Sequence, residues 1–444
     1  MAHIVPFHGL RFCTDAKCCG LDLLVAPPYD VISPDQRASL VDGCRNNVVS
    51  VDLPAGDDSG KYANAGRTWS QWLTDGTLVP DVEAALYLVH EEFVTPTGQR
   101  GSRTGFICEL ELEDFGVGKI RPHERTYAGP KADRLELMRA TNANISQVFA
   151  LYRDPERELD EVWKRVMESA PDETVTAPDG ERSMWVVTNA EMIELARKTL
   201  AVSSLTIADG HHRYETALTF RDECRAKGIL PASDGLMVYL SNMDDPGLVI
   251  LPTHRAVKLP EGSDPTAIRG RLEGIMTLKP VTVDHPEIWL ASAIGEETDE
   301  PYRFGIFSRE CGWMLATLNS WDSIAHWIDP TRSEAWRRLD VAVLHEAILR
   351  EIFGLTQETV ERTRPISYVV NPVQGHDKVV AGDADVLLQM RPTAASQIAA
   401  VADTGDTMPQ KSTYFYPKLL TGLVMRGMDT GESGTYKGET THAE

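Results

Sequence analysis

Leu205-Thr206-Ile207-Ala208-Asp209-Gly210-His211-His212-Arg213-Tyr214-Glu215 is the stretch whose reading decides the fold. Its first four residues have strand character, and Tyr214, Ala217, Phe220 and Cys224 then recur at helical spacing up to Gly228. A strand, a tight turn at Asp209-Gly210 and a helix start are expected. The first N–H groups of a helix carry the positive end of its dipole, which makes such a turn a natural anion site. Gly210 lets a ligand approach the backbone, and Arg213 offers a planar fork to phosphate. The plainer reading is that Asp209 is only an N-cap and that the His211-His212 pair is polar surface. A zinc hydrolase of the inverted type needs a second His where Thr216 stands.

Working outward, 444 residues suffice for two or three domains with a large core. Hydrophobic content of 42% and charged content of 25% are ordinary for a globular chain. A formal net charge of -22 argues against a duplex DNA binder that neutralises phosphates, so nucleic acid is not an expected partner. Seven cysteines without a Cys-x-x-Cys pair are expected as free thiols of a cytoplasmic protein, with Cys18-Cys19 a weak metal candidate. Residues 1–12 lack a long apolar core, and no run of about 18 apolar residues occurs. Neither secretion nor membrane spanning is expected.

Along the chain, Pro27 and Pro28 fix an extended path, and residues 47–53 read as a strand. A helix is expected over 62–75, then strands over 85–94 and 104–112 joined by a turn near Gly98. Strands follow at 148–152 and 184–188, with a helix over 155–168 and another capped by Asn189. Residues 236–240 and 248–251 read as paired strands, the second leading to Thr253-His254-Arg255. Beyond, strands are expected at 302–307, 313–318, 366–370 and 385–390, and helices over 337–352 and 392–402. The spans are 1–115, an α+β region; 116–258, the unit carrying the turn; 259–426, a second α+β region; and 427–444, a disordered tail.

Two further stretches carry chemistry. His123-Glu124, with Lys131, Asp133 and Arg134 close behind, reads either as a solvated ion-pair face or as a catalytic base among phosphate ligands. Residues 408–418, Met-Pro-Gln-Lys-Ser-Thr-Tyr-Phe-Tyr-Pro-Lys, put Lys411 and Lys418 around Ser412 and Thr413. They suit an anion-closing loop, or an aromatic loop whose lysine stems reach water. Walker, kinase and dinucleotide glycine fingerprints are absent.

These segments, with Ala26-Pro27-Pro28-Tyr29-Asp30-Val31-Ile32 and Leu251-Pro252-Thr253-His254-Arg255, resemble the large bacterial and archaeal domain-of-unknown-function family that includes the pyrophosphate-dependent serine kinase. The resemblance covers nearly the whole chain. The middle third is also similar to the free serine kinases of the ParB and sulfiredoxin superfamily. The resemblance implies an α+β fold of mixed sheets with a ParB/sulfiredoxin-like middle unit, in two or three domains. It implies phosphoryl transfer from pyrophosphate to free L-serine, with an ADP- or ATP-dependent serine kinase, a phosphatase or a non-catalytic ParB-like binding module as alternatives. By motif, Glu124 is the implied base. Asp209 and His212 join it as catalytic residues, and Asp209 is the implied ligand of a Mg²⁺. Gly210, His211, Arg213, Arg134, Lys411, Ser412, Thr413 and Lys418 are implied at phosphate, and His123, His254 and Arg255 at substrate. Glu124, Asp209, His212 and Lys411 are then expected to share one cleft.

Overall fold

The structure, a computed structural model, describes residues 2–14, 19–56, 60–124, 128–228, 234–295 and 302–428. It is α+β with several mixed sheets and divides into two compact units. The first comprises Met1–Ile120, Thr126–Leu248 and Pro417–Glu444, the second Arg121–Arg125 and Val249–Tyr416.

The first unit is organised on one sheet. Its strands are β1 (Leu86–Val94), β2 (Arg100–Glu111), β3 (Val148–Tyr152), β4 (Glu173–Ala177), β5 (Gly180–Val187), β6 (Leu205–Asp209) and β7 (Gly235–Asn242), in the spatial order β6-β3-β7-β2-β1-β5-β4. Among these seven strands only β3 and β7 pair in parallel, Val238 opposite Val148; the other neighbours are antiparallel. The apolar face of β3, β6 and β7 contributes Val148, Ala150, Leu205, Ile207, Val238 and Leu240 to a core closed by helices. Burying such side chains stabilises by about 1.5–3 kcal/mol each. Those helices include α1 (Ala128–Thr141), α2 (Ala190–Val202) and α3 (His211–Ala226). The Asn189 side chain accepts the N–H groups of Glu191 and Met192, as expected of a cap.

Strands from both sides of residue 115 share this sheet, β1 and β2 lying between β7 and β5, and residues 1–120 and 126–248 belong to one unit. Strand pairing across long loops is set by tertiary packing, which composition along the chain does not report. The 47–53 strand is corrected. Asn47, fully buried, donates to the Leu23 and Val25 carbonyls and accepts the Val49 N–H, starting a helical turn over Val49–Asp52. The alternating valines there are buried from all sides. Cys19 and Cys44 form a disulfide, correcting the free-thiol expectation for those two, while Cys13, Cys108, Cys224 and Cys311 are free. Cys18 lies outside the described residues. Gly427 pairs with Ala143 and the Met428 N–H donates to the Asn142 carbonyl, so these two residues are not part of a disordered tail; the rest of that expectation, residues 429–444, lies outside the described residues.

The second unit holds β8 (Val249–Leu251), β9 (His254–Val257), β10 (Met276–Pro280), β11 (Arg303–Ser308), β12 (Gly312–Leu318), β13 (Ile366–Val369), β14 (Val386–Gln389) and β15 (Tyr414–Tyr416). Its main sheet runs β10-β12-β11-β14-β9-β13, over a core of Ala256, Leu290, Phe307, Trp313 and Leu387. β8 pairs with β15, Ile250 opposite Phe415, and not with residues 236–240 as expected. The helix expected over 337–352 is built in successive segments, the last, Leu344–Ile352, wound with π-helical turns. Among the described residues no helix is long and apolar enough to cross a membrane.

Candidate phosphate site and the Lys-Ser-Thr turn

In the first unit the expected turn is in place. β6 carries an irregularity between Ile207 and Asp209, the kind of bulge that re-aims a side chain at a strand end. Gly210 then takes the left-handed conformation, φ 86°, and α3 begins at His211. The first intrahelical bond runs from the Tyr214 N–H to the Gly210 carbonyl at 3.0 Å. The N–H groups of a helix start look outside the helix for acceptors, which is the electrostatic basis of an anion site. Asp209 closes the turn, its Oδ1 accepting the Gly210 N–H at 2.7 Å. Its Oδ2 accepts from Lys418 Nζ at 2.6 Å, in a largely buried pair.

That pair changes the role expected of Asp209. Both of its oxygens are engaged, and among the described residues no three His, Cys, Asp or Glu side chains form a group able to hold a metal ion. The Asp209 carboxylate is thus held by the Gly210 N–H and the Lys418 ammonium. The positive charge at Asp209 is the ammonium of Lys418, held in place because the Pro417 carbonyl accepts from the buried Arg103 at 2.9 Å.

Arg213 folds back over the turn. A Cβ added at Gly210 would lie 2.9 Å from Arg213 Nε, and the Arg213 guanidinium donates to the Gln147 carbonyl. Gly210→Ala is therefore expected to cost about 1–2 kcal/mol for the left-handed backbone alone and to displace Arg213. Urea unfolding of the variant measures the cost. A cavity of about 30 Å³, room for roughly one water, separates Arg213 from Asp52, Arg134, Asn144 and Ser146.

Arg134, expected at phosphate, is buried and already shared by protein acceptors. It donates to Asp52 Oδ1 at 3.1 Å, to the Asp52 carbonyl at 2.7 Å and to Asp133 Oδ2 at 2.6 Å, under the ring of Tyr29 at 4.0 Å. Burial pushes the Tyr29 hydroxyl up to about 12 despite Arg134 and Arg213. Burial likewise raises the Asp52 carboxyl, outweighing the two guanidinium groups. Burial would also raise Asp133, but Arg134, Tyr62 and Lys61 prevail and lower it to about 2. Lys131 pairs with Glu215 at 2.7 Å. Tyr29 stands in the resembling segment 26–32, while Asp52 carried no local signal.

In the second unit the expected Glu124, His123, His254, Arg255, Lys411, Ser412 and Thr413 are gathered. The His123 carbonyl accepts the Met408 N–H at 2.7 Å, which ties the short excursion of residues 121–124 to the loop. Glu124 Oε2 accepts the Lys411 N–H at 3.2 Å, and Oε1 accepts the N–H groups of Ser412 and Thr413 at 3.1 and 3.3 Å and the Thr413 hydroxyl at 3.1 Å. The buried His123 shares a hydrogen bond with that hydroxyl at 3.0 Å and stands edge-on to Phe415. Arg255 is fully buried. It donates to the carbonyls of Thr253 and, at 3.1 Å, Lys411, and contacts Met390 Sδ and His345 Nε2. Burial lowers it to about 10, even with Tyr368 and Glu124 nearby.

His345, in the π-helical turns, was missed because it sits in an ordinary amphipathic pattern; such turns are frequent at functional sites. Burial, reinforced by Arg255, lowers both His254 and His345 to about 3. Both are thus neutral when folded and take up protons on unfolding below about 6.5. Stability of this unit is expected to fall as pH drops from about 6.5 towards 3, by up to about 1.4 kcal/mol per pH unit for each histidine. Unfolding midpoints against pH should show the slope, and His345→Gln should remove about half of it.

The family described as a protein of unknown function, DUF1015, matches residues 4–342. The chain belongs to this family. Curated proteins give no match. Among solved structures, a conserved hypothetical protein from Pyrococcus furiosus is similar at 11% identity and a TM-score of 0.32, over 70% of this chain and 90% of that one. A free serine kinase in complex with AMP is similar at 11% and 0.33, over 70% of this chain and 86% of that one. SbnI with C-terminal truncation from Staphylococcus aureus is similar at 11% and 0.33, over 68% and 82%. Likeness at this level decides nothing about the chemistry of the DUF1015 chain.

Proposed function

We propose that this member of the DUF1015 family is a phosphotransferase that moves a phosphoryl group from pyrophosphate to the hydroxyl of free L-serine. The observation that carries the reading is the turn at 209–213: a strand end, a left-handed glycine and a helix start, with the Lys418 ammonium fixed on Asp209. Phosphoryl transfer needs charge neutralisation and alignment, with little covalent work by the protein. In this reading the serine oxygen bonds to phosphorus, the bridging P–O bond of pyrophosphate breaks, and phosphate leaves. The hydroxyl proton goes to Glu124.

In this reading the helix start, His211, His212, Arg213 and Lys418 hold phosphate, and the resemblance implies Lys411, Ser412 and Thr413 as phosphate ligands as well. Arg255 and His254 support that loop from beneath, and Arg134 fixes the wall behind Arg213. Asp209 would be the carboxylate of the turn to meet a Mg²⁺ brought with pyrophosphate, which would supply further charge neutralisation. Incubation with L-serine and, separately, pyrophosphate, ADP or ATP, followed by mass spectrometry for O-phosphoserine, tests it. Product from pyrophosphate is expected. Product from a nucleotide alone would transfer the reading to a nucleotide-dependent kinase, and none from any donor would remove serine as acceptor.

A further inference from the structure

The turn formed by residues 411–413 has the form of an anion receptor. Three successive backbone N–H groups and the Thr413 hydroxyl converge on one carboxylate, and Lys411 takes the left-handed conformation, φ 55°, that bends them inward. Such a backbone nest binds anions by its concentrated amide dipoles. Here the anion is a side chain of the same unit, Glu124.

A second observation lies beneath the turn. Arg255 is fully buried, yet its hydrogen-bond partners are two carbonyls, a thioether and an imidazole. Its Nε, and the hydroxyl of buried Thr253, have no partner among the described residues. A buried guanidinium without a carboxylate in contact is costly, since buried charges are otherwise paired. This one is attached to the receptor through the Lys411 carbonyl. Its charge adds to that of Lys411 in favouring an anion at the turn.

We propose that residues 411–413 form an exchangeable oxyanion receptor whose resident anion is the Glu124 side chain, and that a phosphate oxyanion competes for the same N–H groups. Binding of the competitor releases the Glu124 carboxylate from at least four hydrogen bonds. A carboxylate so released is an unencumbered proton acceptor; one held in the receptor is not. The identity of the competitor as the donor phosphate rests on the function proposed above. The receptor itself rests on the geometry alone. Glu124 is, in the resting state, a positioning residue of the turn.

The experiment is rescue of stability in the full chain. Glu124→Ala empties the receptor and leaves three N–H groups facing the space of the lost carboxylate. Its thermal midpoint is expected to fall by several degrees and to recover by at least about half when formate or inorganic phosphate is added, because an anion bound only to the folded state stabilises it. Sodium chloride at matched ionic strength should not restore it, and the wild type should not respond to formate. A folded Glu124→Ala without anion dependence overturns the proposal, as does equal recovery with chloride, which is screening. Where Glu124→Ala does not fold, Glu124→Gln, which keeps the shape and one acceptor but loses the charge, is judged by the same criteria. Rescue in a protein that makes no O-phosphoserine would keep the receptor and remove only the reaction.

Discussion

Replacing Lys418 by alanine is expected to lower phosphoryl transfer about a hundred- to a thousandfold, the usual consequence of removing one preorganised group that neutralises developing charge. Lys418 Nζ stands 2.6 Å from Asp209 Oδ2 with the side chain only 16% exposed, so the charge is fixed before any ligand arrives. Without it the turn carries the uncompensated carboxylate of Asp209 next to the atoms meant to receive a phosphate. The loss should appear in kcat/KM for pyrophosphate. Lys418→Arg should recover part of it, since charge returns with a different geometry. Unfolding curves close to wild type would separate this effect from collapse of the unit. Full activity in Lys418→Ala would remove the residue from the site.

Glu91→Ala is expected to destabilise the first unit by about 3–5 kcal/mol. Glu91 and Arg103 are 1% and 0% exposed, and Oε2 accepts from Arg103 Nε and Nη2 at 2.8 and 2.6 Å and from the Tyr239 hydroxyl at 3.2 Å. Arg182, equally buried, lies 3.6 Å from the other oxygen. Removing the carboxylate takes away the close counter-charge of Arg103 inside the sheet, while Arg182 keeps its pair with Asp179 at 2.6 Å. The effect extends to the site, because Arg103 also holds the Pro417 carbonyl and through it Lys418. Urea unfolding should show the loss. A cost below about 1 kcal/mol, the size of an exposed pair, would mean that the cluster is not the support described.

These two predictions also mark what the sequence could and could not reveal. The turn at 205–215 was legible because every part is local: β-rich residues, a glycine able to take positive φ, and apolar residues at helical spacing. The Asn189 cap and the β1–β2 hairpin were legible for the same reason. Asp52 with Arg134, β8 with β15 and Cys19 with Cys44 were not, since each joins residues well separated in sequence, and such pairing depends on tertiary packing. The functional stretches were found by residue type, but their partners were not. Lys418 and Glu124 stood out by residue type, but the contact of Lys418 with Asp209 and that of Glu124 with the 411–413 turn did not.

The central claim is that residues 209–213 receive phosphate, and a crystal structure with pyrophosphate tests it most directly. Phosphate oxygens within hydrogen-bond distance of the N–H groups of His211, His212 and Arg213, with Lys418 Nζ in contact, are the predicted result. Pyrophosphate bound elsewhere, with the Asp209–Lys418 turn unvisited, would contradict the account.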